Sequence, residues 1–186
     1  VKRLSGAVAA RLLEQGKFVG ELTDELKSMI GIASILHDVG KVTTPDHILL
    51  KPGRLTDAER GIMMQHARNG EDILERAACV TISANYLSLG AQIAGGHHEW
   101  YDGNGYPRGL KGDEIPLAAR IVAVVDVFDA LVHKRLYKDA WELEAALDYL
   151  RNQSGKQFDP VVLEAFLSIV GADEKAWEDS GESEPV

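Results

Sequence analysis

Apolar residues recur at three- and four-residue spacing along most of this chain, which is the period of amphipathic helices. Leu4, Val8, Leu12 and Leu13 predict a first helix over residues 4–15, stopped at Gly16. From Thr23, the positions Leu26, Met29, Ile30, Ala33 and Leu36 predict a second helix that runs to His37-Asp38, with Gly40 as its end. Thr56-Asp57-Ala58-Glu59 reads as a capping box opening a third, which carries Ile62, Met63, His66, Gly70, Ile73 and Leu74. Further helices are expected over about 82–98, 117–134 and 141–152, and from the Asp159 N-cap and Pro160 to about Val170. Residues 42–55, with Pro45, Pro52 and Gly53, and the Gly- and Pro-dense 101–116 read as loops. There is no convincing strand and no internal repeat. The pattern predicts an all-α, compact multi-helix bundle over residues 1–170, followed by an acidic tail over 171–186.

Composition narrows this picture only slightly. With 186 residues, 45% hydrophobic, the chain suits one domain with a sizeable core. Six of its 29 acids fall in the last sixteen residues, so the net charge of −9 overstates the acidity of the body. No basic cluster stands out, which argues against a nucleic-acid polymer as partner. The single Cys79 excludes an internal disulfide and reads as a small apolar residue at a helix end, in a reducing compartment. No apolar run approaches the roughly eighteen residues of a membrane span, and there is no secretory signal, so a cytoplasmic location is expected. The chain does not start with Met, as expected of a piece of a longer protein.

The chemistry concentrates at a few places. Adjacent helical residues point about 100° apart, so His37 and Asp38 can share one metal only near a helix end or bend, or hold two through a carboxylate bridge. Four of the six histidines, His37, His66, His97 and His98, lie on or beside apolar helical segments. Each has an ordinary reading: His66 as a satisfied core histidine, His97-His98 as a C-terminal pair favoured by the helix dipole. Asp126 is harder to set aside. It lies in Ile121-Val122-Ala123-Val124-Val125-Asp126-Val127-Phe128, where a lone buried carboxylate costs several kcal/mol, so it is paired, protonated or bound to a cation. Helix bundles build metal sites from such inward-facing side chains, and mixed imidazole and carboxylate donors suit iron, manganese, zinc or cobalt. His47 reads as surface and His133 as structural or exposed. The loop after His98 contains Gly105-Tyr106-Pro107, whose glycine permits close backbone approach to a ligand. Arg135, Tyr137 and Lys138 offer phosphate-binding groups, or simply a solvated helix end.

Taken together, these stretches resemble the HD-GYP domains of bacterial cyclic di-GMP signalling. The resemblance rests on Leu36-His37-Asp38-Val39-Gly40-Lys41, His66, His97-His98-Glu99, Asp102-Gly103-Asn104-Gly105-Tyr106-Pro107, Asp126-Val127-Phe128-Asp129-Ala130-Leu131, Arg135-Leu136-Tyr137-Lys138 and Gly155-Lys156-Gln157-Phe158-Asp159-Pro160. It covers roughly residues 1–169. It implies an HD-type helical bundle with a central metal site and a phosphodiesterase that opens cyclic di-GMP to linear pGpG, GMP, or both, through a metal-bridging hydroxide. His37, Asp38, His66, His97, His98 and Asp126 are then the metal ligands, with Asp38 bridging. Lys41 stands beside the scissile phosphate, Arg135 and Lys138 bind phosphate, and Gly105-Tyr106-Pro107 contacts substrate or recruits a GGDEF cyclase. Two divalent ions are implied, iron or manganese first, with zinc, cobalt or nickel as alternatives. A sensor or receiver domain is the usual fusion partner.

Two departures matter. Leu136 stands where the family has proline, and the chain begins just after a histidine ligand of the family pattern, which disfavours a third metal. The alternatives are therefore an impaired module that binds cyclic di-GMP or a GGDEF partner, or an enzyme for a related dinucleotide such as cyclic GMP-AMP.

Overall fold

A computed structural model describes residues 1–81, 85–133 and 140–171. Among these residues the protein is helical, with one isolated bridge between Ser154 and Phe158 in place of any strand. The helices are α1 (Lys2–Glu14), α2 (Asp24–Ala33), α3 (Asp46–Leu49), α4 (Asp57–Val80), α5 (Asn85–Gly96), α6 (Leu117–Val132), α7 (Leu143–Asn152) and α8 (Pro160–Val170).

Local chemistry sets their ends. The Thr23 hydroxyl accepts from the Leu26 amide and Asp24 and Glu25 fill the first turn of α2, complementing its dipole. Thr56 and Glu59 form the reciprocal capping box of α4. Asp159 caps α8 through the Val161 and Val162 amides, with Pro160 as its first residue.

The centre is α6. Twelve of its sixteen residues are buried, eleven of them apolar, so other helices must cover most of its surface. α1, α5, α7 and α8 do so, joined through Phe128, Phe166, Phe158, Leu12, Ile30 and Ile93 into one core. A smaller cluster of Leu74, Ala91 and Ala94, with Leu36, Val39 and Leu87 against it, ties α4 to α5 and to the segment around the His-Asp pair.

Several expectations need correction. The second helix stops at Ala33 and tightens into a 3₁₀ turn over Ser34–Leu36; a second 3₁₀ segment spans Val39–Thr43. The 42–55 stretch therefore holds the end of a 3₁₀ segment and all of α3 rather than loop alone. Gly40 is not a left-handed helix end: it lies inside the second 3₁₀ segment, and a Cβ there would run into the His66 carbonyl and the Gly70 backbone. Its role is close approach of two backbones. Cys79 is exposed on α4 rather than packed as an apolar residue. No helix among the described residues is long and apolar enough to cross a membrane. Residues 172–186, including most of the acidic tail, lie outside the described residues, as do Arg135, Leu136 and Lys138.

Candidate metal centre and its loop

Four elements deliver the chemistry-bearing side chains to one place. The His37-Asp38 pair sits between the two 3₁₀ segments, where Asp38 adopts φ −100° and ψ 6°. That bend lets adjacent side chains turn to one side, which a straight helix forbids. His66 comes from the middle of α4, His97 and His98 from just beyond α5, and Asp126 from α6.

The rings are oriented from behind. Nδ1 of His37 lies 2.7 Å from the Ser34 carbonyl, and Nδ1 of His66 lies 2.7 Å from that of Met63. Nδ1 of His97 lies 3.0 Å from the Ala94 carbonyl. A carbonyl only accepts, so each Nδ1 carries the proton and each Nε2 is turned toward the common centre. His37 Nε2 lies 3.3 Å from Asp38 Oδ2 and 3.5 Å from Asp126 Oδ1, while His66 Nε2 lies 3.4 Å from Asp38 Oδ1. His98 Nε2 is 3.2 Å from His66 Nε2. Ligand atoms of His66, His97 and His98 all fall within 4.8 Å of one another.

Charge is unevenly shared. Burial opposes protonation of His37, but hydrogen bonds to Asp126 and Asp38 outweigh it and raise its pKa to about 10. Burial would push the Asp38 and Asp126 carboxyls up, yet His37 holds both below the usual range, aided at Asp38 by Lys41, whose Nζ is 2.6 Å from Oδ2. His97 is pushed down to about 4 and His98 is lowered as well, both mainly by burial. The Nε2 of His97, a residue only 3% exposed, has no hydrogen-bond partner. A buried lone pair without a partner costs about 1–3 kcal/mol. A cation among these nitrogens and carboxylates removes that cost, so the residues present fit a metal centre.

The loop after His98 closes one side. The Tyr106 ring stacks on His98 at 4.7 Å, and the Tyr106 amide donates to the His98 carbonyl at 3.1 Å. Burial raises the Tyr106 phenol. The loop is anchored to the 153–158 segment, the Tyr101 and Asp102 amides donating to the Gln157 and Lys156 carbonyls.

Of the residues singled out in the sequence, His37, Asp38, Lys41, His66, His97, His98, Tyr106 and Asp126 converge here, with Gly105 and Pro107 flanking Tyr106. His47 is exposed, and His133 pairs with Asp129 at 3.6 Å. Arg135 and Lys138 lie outside the described residues. Sequence reasoning gave no role to Glu99, Glu71 and Arg108, which hold the loop, or to Arg120. Buried Arg120 binds Asp159, Asp113 and Glu21 at 2.8–2.9 Å, tying α6 to the α8 cap. It was detectable by the signal that singled out Asp126, a charge inside the apolar run Ala118–Val125. Glu71 has no such signal.

The chain matches the family model described as "HD domain" over residues 7–162. It is 49% identical over 146 residues to the cyclic di-GMP phosphodiesterase response regulator RpfG of Xanthomonas campestris pv. campestris, covering 78% of this chain and 37% of that protein. A protein of Thermotoga maritima named cyclic di-GMP phosphodiesterase is 47% identical over 166 residues, covering 89% and 42% respectively. A Vibrio cholerae protein named 3'3'-cGAMP-specific phosphodiesterase 2 is 42% identical over 180 residues, covering 90% and 34%. The chain thus spans only about two-fifths or less of these relatives' length. In fold it is similar to a cyclic GMP-AMP-specific phosphodiesterase of V. cholerae, with TM-score 0.63 and 20% identity over 96% of this chain and 46% of that one.

Proposed function

The chain belongs to the HD domain family, and from that premise we propose that it is a metal-dependent phosphodiesterase of cyclic dinucleotides, opening cyclic di-GMP to linear pGpG, GMP, or both. The relatives' names support the substrate class, and the buried, unpartnered Nε2 of His97 carries the metal reading.

His37, Asp38, His66, His97, His98 and Asp126 are the residues that would hold two ions; the mixed donor set suits iron, manganese, zinc or cobalt, and the family resemblance puts iron or manganese first. When bound, such ions make water acidic enough to attack near neutral pH and neutralise charge on phosphate. Asp38 is suited to bridging, because one carboxylate oxygen faces His37 and the other faces His66. Asp126, whose Oδ1 lies 3.5 Å from the same His37 nitrogen that faces Asp38, supplies the second negative charge. Lys41 is about one-third exposed while its Nζ reaches Asp38. From there it can donate to a phosphate oxygen or protonate the leaving oxygen. Tyr106 walls the site at His98. Arg135 and Lys138, outside the described residues, keep the phosphate-binding role their motif implies.

The test is product formation. Protein purified anaerobically and supplied with Mn or Fe(II) is incubated with cyclic di-GMP and, in parallel, 3'3'-cGAMP, and pGpG, GMP and mixed products are resolved chromatographically. Turnover lost in folded Asp38→Ala is the expected result. Folded, metal-loaded protein that turns over neither dinucleotide sinks the proposal; binding of cyclic di-GMP without turnover, or capture of a GGDEF cyclase, would point to the impaired module instead.

A further inference from the structure

Glu99 lies next to His98 yet points away from the metal ligands. It is 2% exposed, and its carboxylate accepts from the Arg108 amide at 2.8 Å through Oε1 and from the Leu110 amide at 3.0 Å through Oε2. Arg108's guanidinium turns elsewhere, to Glu71 at 2.9 and 2.8 Å and to the Gly95 carbonyl at 3.2 Å. The loop folds back so tightly that a Cβ on Gly105 would collide with the Trp100 amide and the Glu99 backbone. Burying an anion is costly, and a neutral side chain could satisfy one amide as well. Two charge-assisted acceptors instead pin both ends of a three-residue arc. That arc begins two residues after Tyr106, the residue stacked on His98.

We infer that Glu99 is a positioning residue: by gripping the Arg108 and Leu110 amides it holds the 108–110 arc down, and so fixes the adjoining Tyr106 ring against His98 where the dinucleotide docks. This rests on the phosphodiesterase reading for its consequence, though not for its geometry. Glu99→Gln keeps one acceptor and presents an NH₂ to the other amide, so the arc loosens without loss of a metal ligand.

Hydrogen exchange, metal content and steady-state kinetics together test this. In Glu99→Gln, faster exchange should be confined to about residues 103–112. Metal content should stay at the wild-type level, and kcat/KM should fall about tenfold to a hundredfold. Because Glu99 acts through Tyr106, the Glu99→Gln/Tyr106→Ala double variant should be no slower than Tyr106→Ala alone. Glu99→Asp, one methylene shorter with the charge kept, serves if the Gln variant does not fold. Unchanged exchange, unchanged kcat/KM, metal loss in step with activity, or additive effects in the double variant would each overturn the inference while leaving the phosphodiesterase reading intact. Wild-type protein inert toward every cyclic dinucleotide would overturn both.

Discussion

Gly40→Ala tests how the site is assembled rather than what it contains. The 3₁₀ segment that follows Asp38 and carries Lys41 crosses α4 at Gly40, opposite His66 and Gly70. A Cβ at Gly40 would overlap the His66 carbonyl and stand 2.5 Å from Gly70 N and 2.9 Å from Gly70 Cα. These are backbone atoms in the middle of a 24-residue helix, so none can swing aside as a side-chain tip would. Overpacking typically costs about 1–3 kcal/mol, and this geometry belongs at the upper end. For a chain of this size that is a fall in Tm of about 6–12 °C. The same displacement separates Asp38 from His66, whose 3.4 Å contact spans that seam. Metal affinity should therefore drop about 10- to 100-fold, as it does when supporting groups of a metal site are disturbed. Gly61→Ala is the control: it lies in the same helix, a Cβ there meets nothing within 4 Å, and it should stabilise by about 0.5–1 kcal/mol. Urea midpoints, thermal scans and metal content after dialysis give the readouts. Gly40→Ala with the wild-type urea midpoint and metal stoichiometry would refute the reasoning.

Asp38→Ala should abolish turnover and reduce bound metal at both positions, measured by elemental analysis; wild-type turnover would remove Asp38 from the bridge. Lys41→Ala should lower kcat with metal content unchanged, and a metal-free variant would make Lys41 structural instead. Arg120→Ala leaves Asp159, buried beside it, without its cation, and should destabilise by about 3–5 kcal/mol in urea titrations; a loss under 1 kcal/mol would contradict this. In metal-stripped protein, His97 is held neutral down to about 4 against an ordinary 6.5, so its contribution is present above 6.5 and lost as pH falls toward about 4. His37, raised to about 10, contributes fully below 6.5 and loses that contribution as pH rises toward about 10. Thermal scans across pH should peak near neutrality; a Tm that rises steadily on acidification would show the imidazoles are not buried as described.

Much of the fold was legible because helix ends are written in short-range chemistry. The Thr56–Glu59 box, the Asp159-Pro160 start and the apolar run of α6 each depend on residues within a turn or two of one another. The same holds for candidate ligands, since a carboxylate in an apolar run or paired histidines beside one are local anomalies. The 42–55 stretch misled in part, because around Pro45 it holds the end of a 3₁₀ segment and a four-residue helix as well as loop. Gly40 misled for a different reason: its partner is 26 residues away on α4, and no local pattern records a close approach of backbones.

The sequence by itself determined that the chain is helical, that His37, Asp38, His66, His97, His98 and Asp126 are its unusual side chains, and which family it resembles. Only the tertiary structure decided that their Nε2 and carboxylate atoms meet. It also decided that backbone carbonyls orient the rings, that Glu99 and Glu71 hold the loop, and that Arg120 joins α6 to α8. Those are matters of distance between segments far apart in the chain, and such distances are set by how α6 is covered, not by any stretch read alone.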